Sequence, residues 1–266
     1  MSSVLDVAGA GWADAGAVTF EEVLGAAGSP LDALPLHDAH CHLDFMADGE
    51  QVAADALVAG CAIFANTVEP EAFSQVSKRF APYSNVSVGL GLHPWWVRED
   101  PHAQIQAFSE AFEASGTRFV GEVGLDFGKR AGATRDAQTV AFEAIAALAG
   151  ERGGCTLSIH AVRSAGTVLD ILEGAGALGN CTCIFHWFSG SSDELQRAVR
   201  AGCLFSVNEM MAASRRGREY IKAIPAAQLL LETDAPPEDE RGAYAYERLE
   251  ASLRNALAAI GELKGR

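Results

Sequence analysis

Eight short apolar runs recur along this chain, each stopping at or beside a polar residue: Leu36–His40, Cys61–Asn66, Val86–Leu92, Phe119–Val123, Thr156–His160, Thr182–His186, Leu204–Asn208 and Leu229–Thr233. The polar stops are His40, Asn66, His93, Glu122, His160, His186, Asn208 and Asp234, spaced 22 to 38 residues apart. Longer helical stretches carrying Ala, Glu and Arg separate the runs, and their Gly- and Pro-containing segments fall where strand-to-helix turns belong. Eight βα units with polar groups at the strand C-termini predict an α/β chain folded as a (β/α)8 TIM barrel over residues 35–266, with its site at the mouth. An open doubly wound sheet would also alternate strands and helices. It would not require a polar residue at every strand end, and this sequence lacks the G-x-G-x-x-G turn. Residues 1–34, rich in Ala, Gly and Asp with one short helical stretch around Phe20 to Ala27, are expected to form an N-terminal extension of uncertain order.

The composition excludes several classes. At 266 residues, 49% of them hydrophobic, the chain is long enough to bury a large core. It has no apolar run near the ~18–20 residues that a membrane span needs. No Lys or Arg precedes an apolar stretch at the N-terminus, so no signal peptide is expected. The six scattered cysteines suit reduced thiols, and a cytoplasmic location is expected. The net charge of −15 is uneven: residues 1–77 hold twelve acids and no Lys or Arg. Such a surface repels duplex nucleic acid, so a nucleic-acid role would require local positive charge from metal ions or clustered arginines.

Five of the seven histidines lie at the strand ends. His40 and His42 form an H-x-H pair; two residues apart on a strand, both imidazoles face the same side and can share one metal ion. Glu122, His160, His186 and Asp234 converge on the same mouth. Four imidazoles and two carboxylates are enough for two divalent ions if one carboxylate bridges them. Each residue also has a structural explanation. His160 and His186 could be hydrogen-bonded core residues, and Asp234, in Glu-Thr-Asp-Ala-Pro, could cap a helix. Glu122 is harder to explain that way, because an unpaired carboxylate in an apolar strand is costly. The joint placement of all six in phase with an eightfold repeat favours a metal site. Cys41, between the two histidines, should point into the core by strand alternation.

Six ordered segments carry a family resemblance: Asp38–Asp44, Gly91–Trp95, Gly121–Asp126, Ser158–His160, Phe185–Gly190 and Glu232–Pro236. They resemble the signature blocks of the TatD family, metal-dependent deoxyribonucleases of the amidohydrolase superfamily. The stretch from Leu157 to Leu231 is further similar to the QatD-like subgroup of the Qat anti-phage system, which would imply protein partners in a defence complex. The resemblance implies one ion (Zn, Mg or Mn) held by His40, His42 and Asp234, a second held by His160 and His186, and Glu122 as the bridge. It gives His93 a contact with the scissile phosphate, although a turn histidine packed by Trp95 and Trp96 would look the same in sequence. The family's His-x-Arg after strand five appears here as His160-Ala161-Val162-Arg163, so Arg163 is the candidate for a phosphate contact from one position further on. The family's Arg-Asn-x-Pro segment after strand eight is replaced by Pro237–Gly242.

The function expected from this is a divalent-metal-dependent exonuclease whose substrate is DNA as a single strand or frayed strand end. A metal-activated water would attack the phosphodiester, with Asp234, Glu122 and His93 as its catalytic groups. An amidase, lactonase or deaminase of the same superfamily is the alternative reading. Many of these bridge their metals through a carbamylated lysine, but none of Lys78, Lys129, Lys222 and Lys264 falls at a strand end. A subunit of a larger defence assembly is the non-enzymatic alternative. Trp95, Trp96 and Trp187 are open to base stacking or to packing under the loops. The Arg215, Arg216, Arg218 cluster reads as a solvated face.

Overall fold

The computed structural model describes residues 19–26, 33–237 and 244–265. Within the 1–34 segment, residues 1–18 and 27–32 lie outside the described residues, as do 238–242 of the segment that replaces the family's Arg-Asn-x-Pro. Eight parallel strands follow one another around the sheet in chain order: β1 (His37–Cys41), β2 (Ala62–Asn66), β3 (Val86–Leu92), β4 (Phe119–Asp126), β5 (Thr156–Val162), β6 (Thr182–His186), β7 (Leu204–Val207) and β8 (Leu229–Leu231). The sheet is the (β/α)8 barrel that the eightfold pattern predicts.

Two apolar layers hold the barrel together. Inside it, Ala39, Ala62, Phe64, Ile184, Leu204 and Leu230 meet Phe20 and Val23 of a short helix, α1 (Phe20–Gly25). A reciprocal Thr19–Glu22 capping box starts that helix. The Phe20 ring lies 5.2 Å from Phe64, so α1 closes the barrel floor with its own side chain. Outside the sheet, helices α2 (Gly49–Val58), α3 (Pro70–Phe80), α4 (His102–Ser115) and α5 (Arg135–Arg152) pack Phe73, Phe80, Phe108, Phe112 and Phe142 onto it. Cys41 lies in this outer core, as alternation predicts. No helix among the described residues is long and apolar enough to cross a membrane.

Two features of the sheet position the mouth. The first is the seam between β8 and β1, which side-chain and backbone hydrogen bonds close together. The Leu231 N–H donates to His37 Nε2 at 3.0 Å, while Asp38 accepts from the Thr233 N–H at 3.0 Å and the Thr233 hydroxyl at 2.5 Å. The Asp234 N–H then donates to the His40 carbonyl at 2.8 Å and the His42 N–H to the Ala235 carbonyl at 2.7 Å. The second is a bulge in β4. Val120 pairs with Leu90 and Leu157, and Val123 with Leu92 and Ile159, so Gly121 and Glu122 occupy extra length on one strand.

The strand ends differ from the expectation here. Glu122 is the fourth residue of an eight-residue β4, and His160 lies two residues inside β5, because Gly124, Leu125 and Asp126 continue the ladder opposite His160, Ala161 and Val162. The bulged backbone is held by the Thr67 carbonyl, which reaches across Gly91 to accept the Glu122 N–H at 2.8 Å. A Cβ on Gly91 would lie 1.7 Å from that carbonyl oxygen, so only glycine fits. Gly91→Ala is therefore expected to destabilise the fold by about 1–3 kcal/mol, the range for overpacking a close contact. Urea unfolding of the variant against wild type measures this.

Candidate metal centre

At the C-terminal mouth the side chains line a cavity of about 490 Å³ that contains His42, His93, Glu122, His160, His186 and Asp234. The Glu122 carboxylate lies at the centre and its two oxygens face different partners. Oε2 is 3.3 Å from His40 Nε2 and 3.4 Å from His42 Nε2. Oε1 is 2.8 Å from both His160 Nδ1 and His186 Nε2, and 3.1 Å from His93 Nε2. Asp234 Oδ1 is 3.6 Å from the Nε2 atoms of both His40 and His42. Asp234 is the more exposed carboxylate, with 27% of its side chain accessible against 3% for Glu122. Its backbone has a left-handed φ of 55°, as has Trp187 at 38°; side-chain residues seldom adopt this region, and such positions concentrate at functional sites.

The far side of each imidazole decides what its near side can do. His42 Nδ1 lies 2.8 Å from the Asn66 carbonyl, which can only accept, so Nδ1 carries a proton and Nε2 is the nitrogen that faces the carboxylates. His93 is the reverse. Its Nδ1 accepts the Trp95 N–H at 3.0 Å, so in the neutral ring the proton is on Nε2. Burial keeps His93 neutral by pushing its pKa down to about 4. His93 therefore offers the mouth a hydrogen-bond donor and no lone pair, although His93, Glu122 and His160 come close enough together to suggest a ligand trio. His40 Nδ1 is 2.6 Å from the Ser158 hydroxyl, and its buried Nε2 has no hydrogen-bond partner among the described residues.

Such a donor set fits a divalent cation. A buried imidazole nitrogen 3.3 Å from one carboxylate and 3.6 Å from another, hydrogen-bonded to neither, with its far nitrogen anchored, is the arrangement of a histidine ligand. His40, His42 and Glu122 form one group within ligand reach of one another, and His40, His186 and Asp234 form another. The electrostatics agree. Burial drives Glu122 towards its neutral acid, but the imidazoles of His93, His186 and His40 hold it well below the ordinary carboxylate range. Burial likewise opposes charge on His186, yet the Glu122 carboxylate raises it to about 9. Hydrogen bonds to Asp234 and Glu122 overcome burial at His42 and hold it well above the ordinary imidazole value. These protons balance the carboxylates, and a cation would replace them.

Several residues that sequence reasoning did not single out support this ring. Asp126 accepts from the Trp95 indole at 2.6 Å and the Gly128 N–H at 2.7 Å, and lies 3.3 Å from His160 Nε2. Burial would raise its pKa, but the hydrogen bonds from His160 and Trp95 hold it at about 2. Glu232, fully buried, accepts from the Asn208 amide at 3.0 Å, the Trp187 N–H at 3.1 Å and the Ser206 hydroxyl, tying the ends of β6, β7 and β8 together. The available signal was an acid within an apolar strand, the same reasoning that singled out Glu122.

Arg163 is not brought to the site. It is exposed, has a φ of 54° and does not line the cavity. β5 runs on through Val162, which carries the following residue past the mouth. Arg130 and Arg248 line the cavity instead. Trp95, Trp96 and Trp187 line it too, with Trp95 37% exposed. Arg215 and Arg216 border a separate surface hollow, and Arg216 donates to the Gly190 carbonyl at 2.6 Å.

A (β/α)8 barrel with a histidine and carboxylate ring able to hold a divalent cation defines a metal-dependent hydrolase. A family model described as TatD related DNase matches residues 37–266, and the chain belongs to that family. It is 32% identical over 236 residues to the 3'-5' ssDNA/RNA exonuclease TatD of Klebsiella pneumoniae, covering 83% of this chain and 86% of that protein. It is 28% identical to the uncharacterized metal-dependent hydrolase YjjV of Escherichia coli, covering 85% and 89%. The crystal structure of YjjV superimposes with a TM-score of 0.65 at 27% identity, over 86% of this chain and 90% of that one. A TatD family hydrolase from Entamoeba histolytica shares the fold at a TM-score of 0.71 and 16% identity, over 87% and 92%.

Because His42 and His186 must lose protons to act as ligands, metal uptake should release protons and tighten as pH rises towards about 9, where His186 deprotonates in the metal-free protein. Titration calorimetry with Zn2+ or Mn2+ in buffers of different ionisation enthalpy measures that release. At a hundredfold excess over Kd the ion should stabilise the fold by about 2.7 kcal/mol.

Proposed function

We propose that this chain is an exonuclease that hydrolyses phosphodiesters at single-stranded or frayed ends of DNA, using two divalent ions. The observation that carries this reading is the division of Glu122, one oxygen towards His40 and His42 and the other towards His160 and His186. One ion would be held by His40, His42 and Asp234, the second by His160 and His186, with Glu122 shared. Histidine and carboxylate ligands suit Zn, Mn or Mg, and availability selects among them.

When bound, such ions lower the pKa of a water towards neutrality and polarise the phosphoryl oxygens. The protein's own groups supply the rest. Asp234, the partly exposed carboxylate of the set, orients the attacking water and takes its proton. His93, neutral with its proton on Nε2, donates to a phosphoryl oxygen as charge develops there. Asp126 fixes the His160 ring and the Trp95 indole together, so the donor side and the ligand side keep one geometry. Glu122 would take the bridging role that a carbamylated lysine has in many amidohydrolases, and no lysine lines the cavity among the described residues, which favours phosphodiester over amide or lactone hydrolysis. The net charge of −15 opposes binding along a duplex, whereas a strand end needs only the local charge at the mouth. The named activity of the Klebsiella pneumoniae relative points the same way.

End-labelled single-stranded DNA with and without Mg2+ or Mn2+ tests this directly. Wild type should release nucleotides only with metal, and Glu122→Gln should lose that activity. Asp234→Asn should retain the fold and lower kcat by about 10²–10⁴-fold, the range for removing a positioned general base. Intact DNA under metal-saturated wild type would refute the nuclease reading.

A further inference from the structure

The cavity holds two arginines, each laid over an aromatic ring on its wall. The Arg130 guanidinium carbon is 3.6 Å from the Trp95 ring centroid, and that of Arg248 is 5.2 Å from the Tyr244 centroid. Arg130 follows β4, and Arg248 lies on the long helix after β8, Tyr246–Lys264. In a ring of eight strands taken in order, β4 and β8 are opposite one another, so the two pairs flank the Glu122 cluster from opposite sides. These are the only Lys or Arg residues lining the cavity among the described residues, in a chain of net charge −15. Trp95 is fixed by its indole hydrogen bond to Asp126, and its ring lies 4.9 Å from His93 and 6.0 Å from His160. An arginine held flat on such a ring loses little rotamer freedom when its N–H fork meets a phosphate, and the ring beside it offers a surface for a base.

We propose that Arg130 on Trp95 and Arg248 on Tyr244 are two nucleotide subsites that hold the phosphates or bases on either side of the scissile phosphodiester. The preferred substrate class is then an oligonucleotide spanning both arms rather than a small diester. This inference rests on the phosphodiesterase reading above and specifies what the same mouth selects. Arg130 also supplies, from the β4 loop, the cationic contact that Arg163 does not.

The test compares wild type, Arg130→Gln, Arg248→Gln and the charge-retaining Arg130→Lys on dT8 and on bis(4-nitrophenyl) phosphate, which carries a single phosphate. Each Gln variant should lose at least tenfold more kcat/KM on dT8 than on the small diester, and Arg130→Lys should recover part of the difference. In parallel, anisotropy of a fluorescein-labelled, phosphorothioate-linked dT8 with Mg2+ reads binding without turnover. Each Gln variant should weaken binding and reduce the slope of log K against log salt by about 0.7, one single-strand phosphate contact. Equal losses on both substrates, or dT8 binding that is absent in wild type or unchanged in the variants, would overturn the proposal. Hydrolysis of neither substrate by wild type would instead overturn the phosphodiesterase reading, while the anisotropy still decides whether the arginines bind the oligonucleotide.

Discussion

A buried carboxylate surrounded by imidazoles organises this molecule. Taking Glu122 out of water is costly unless it is paired, and here the pairing comes from histidines on four different strands or strand ends. That arrangement requires the side chain to leave β4 at a defined height. The bulge at Gly121 and Glu122 sets the height, and the Thr67 carbonyl fixes it by passing through the space where Gly91 has no side chain. The glycines of β3 and β4 are therefore part of the metal centre, although neither could ever touch an ion. Gly121 has the same role on the other side, where a Cβ would lie 2.2 Å from the Asn66 amide oxygen.

The surrounding scaffold gives chemically identical side chains different roles. A backbone carbonyl behind His42 takes a proton from Nδ1, whereas a backbone amide behind His93 gives one to Nδ1, which suits the first ring to offer Nε2 as a ligand and the second to offer Nε2 as a donor. His37 shows the same control away from the chemistry. Its Nδ1 donates to the Pro35 carbonyl, its Nε2 accepts from Leu231, and burial keeps it neutral with a pKa pushed down to about 4. In none of these cases does the residue type alone fix the role.

The barrel and the six ligand candidates were legible in the sequence because both depend on periodicity: strands of similar length end at one face of a closed sheet, so polar stops in phase converge. What stayed hidden depends on register. Glu122 and His160 read as strand ends, yet they lie inside longer strands because the β4 bulge and the pairing of Gly124 with His160 are tertiary events. Arg163 was expected at the mouth and is not there, since a single residue's shift beyond Val162 reverses which way a side chain can reach; Arg248, on a helix distant in sequence from every motif, lines the cavity instead. Asp126 and Glu232 lay within recognisable motifs, but their partners, Trp95, Ser206 and Asn208, are distant in sequence. The closing of the seam by His37 and Asp38 gave no periodic signal at all.

That seam has a consequence for how activity can arise as the chain folds. Asp38 grips Thr233, and the His40 carbonyl grips the Asp234 amide, so the last strand brings the final ligand with it. A chain with seven strands in place would hold Glu122 and four imidazoles but lack the carboxylate that completes the set. Closing the cylinder and bringing the last ligand candidate to the mouth are thus a single event.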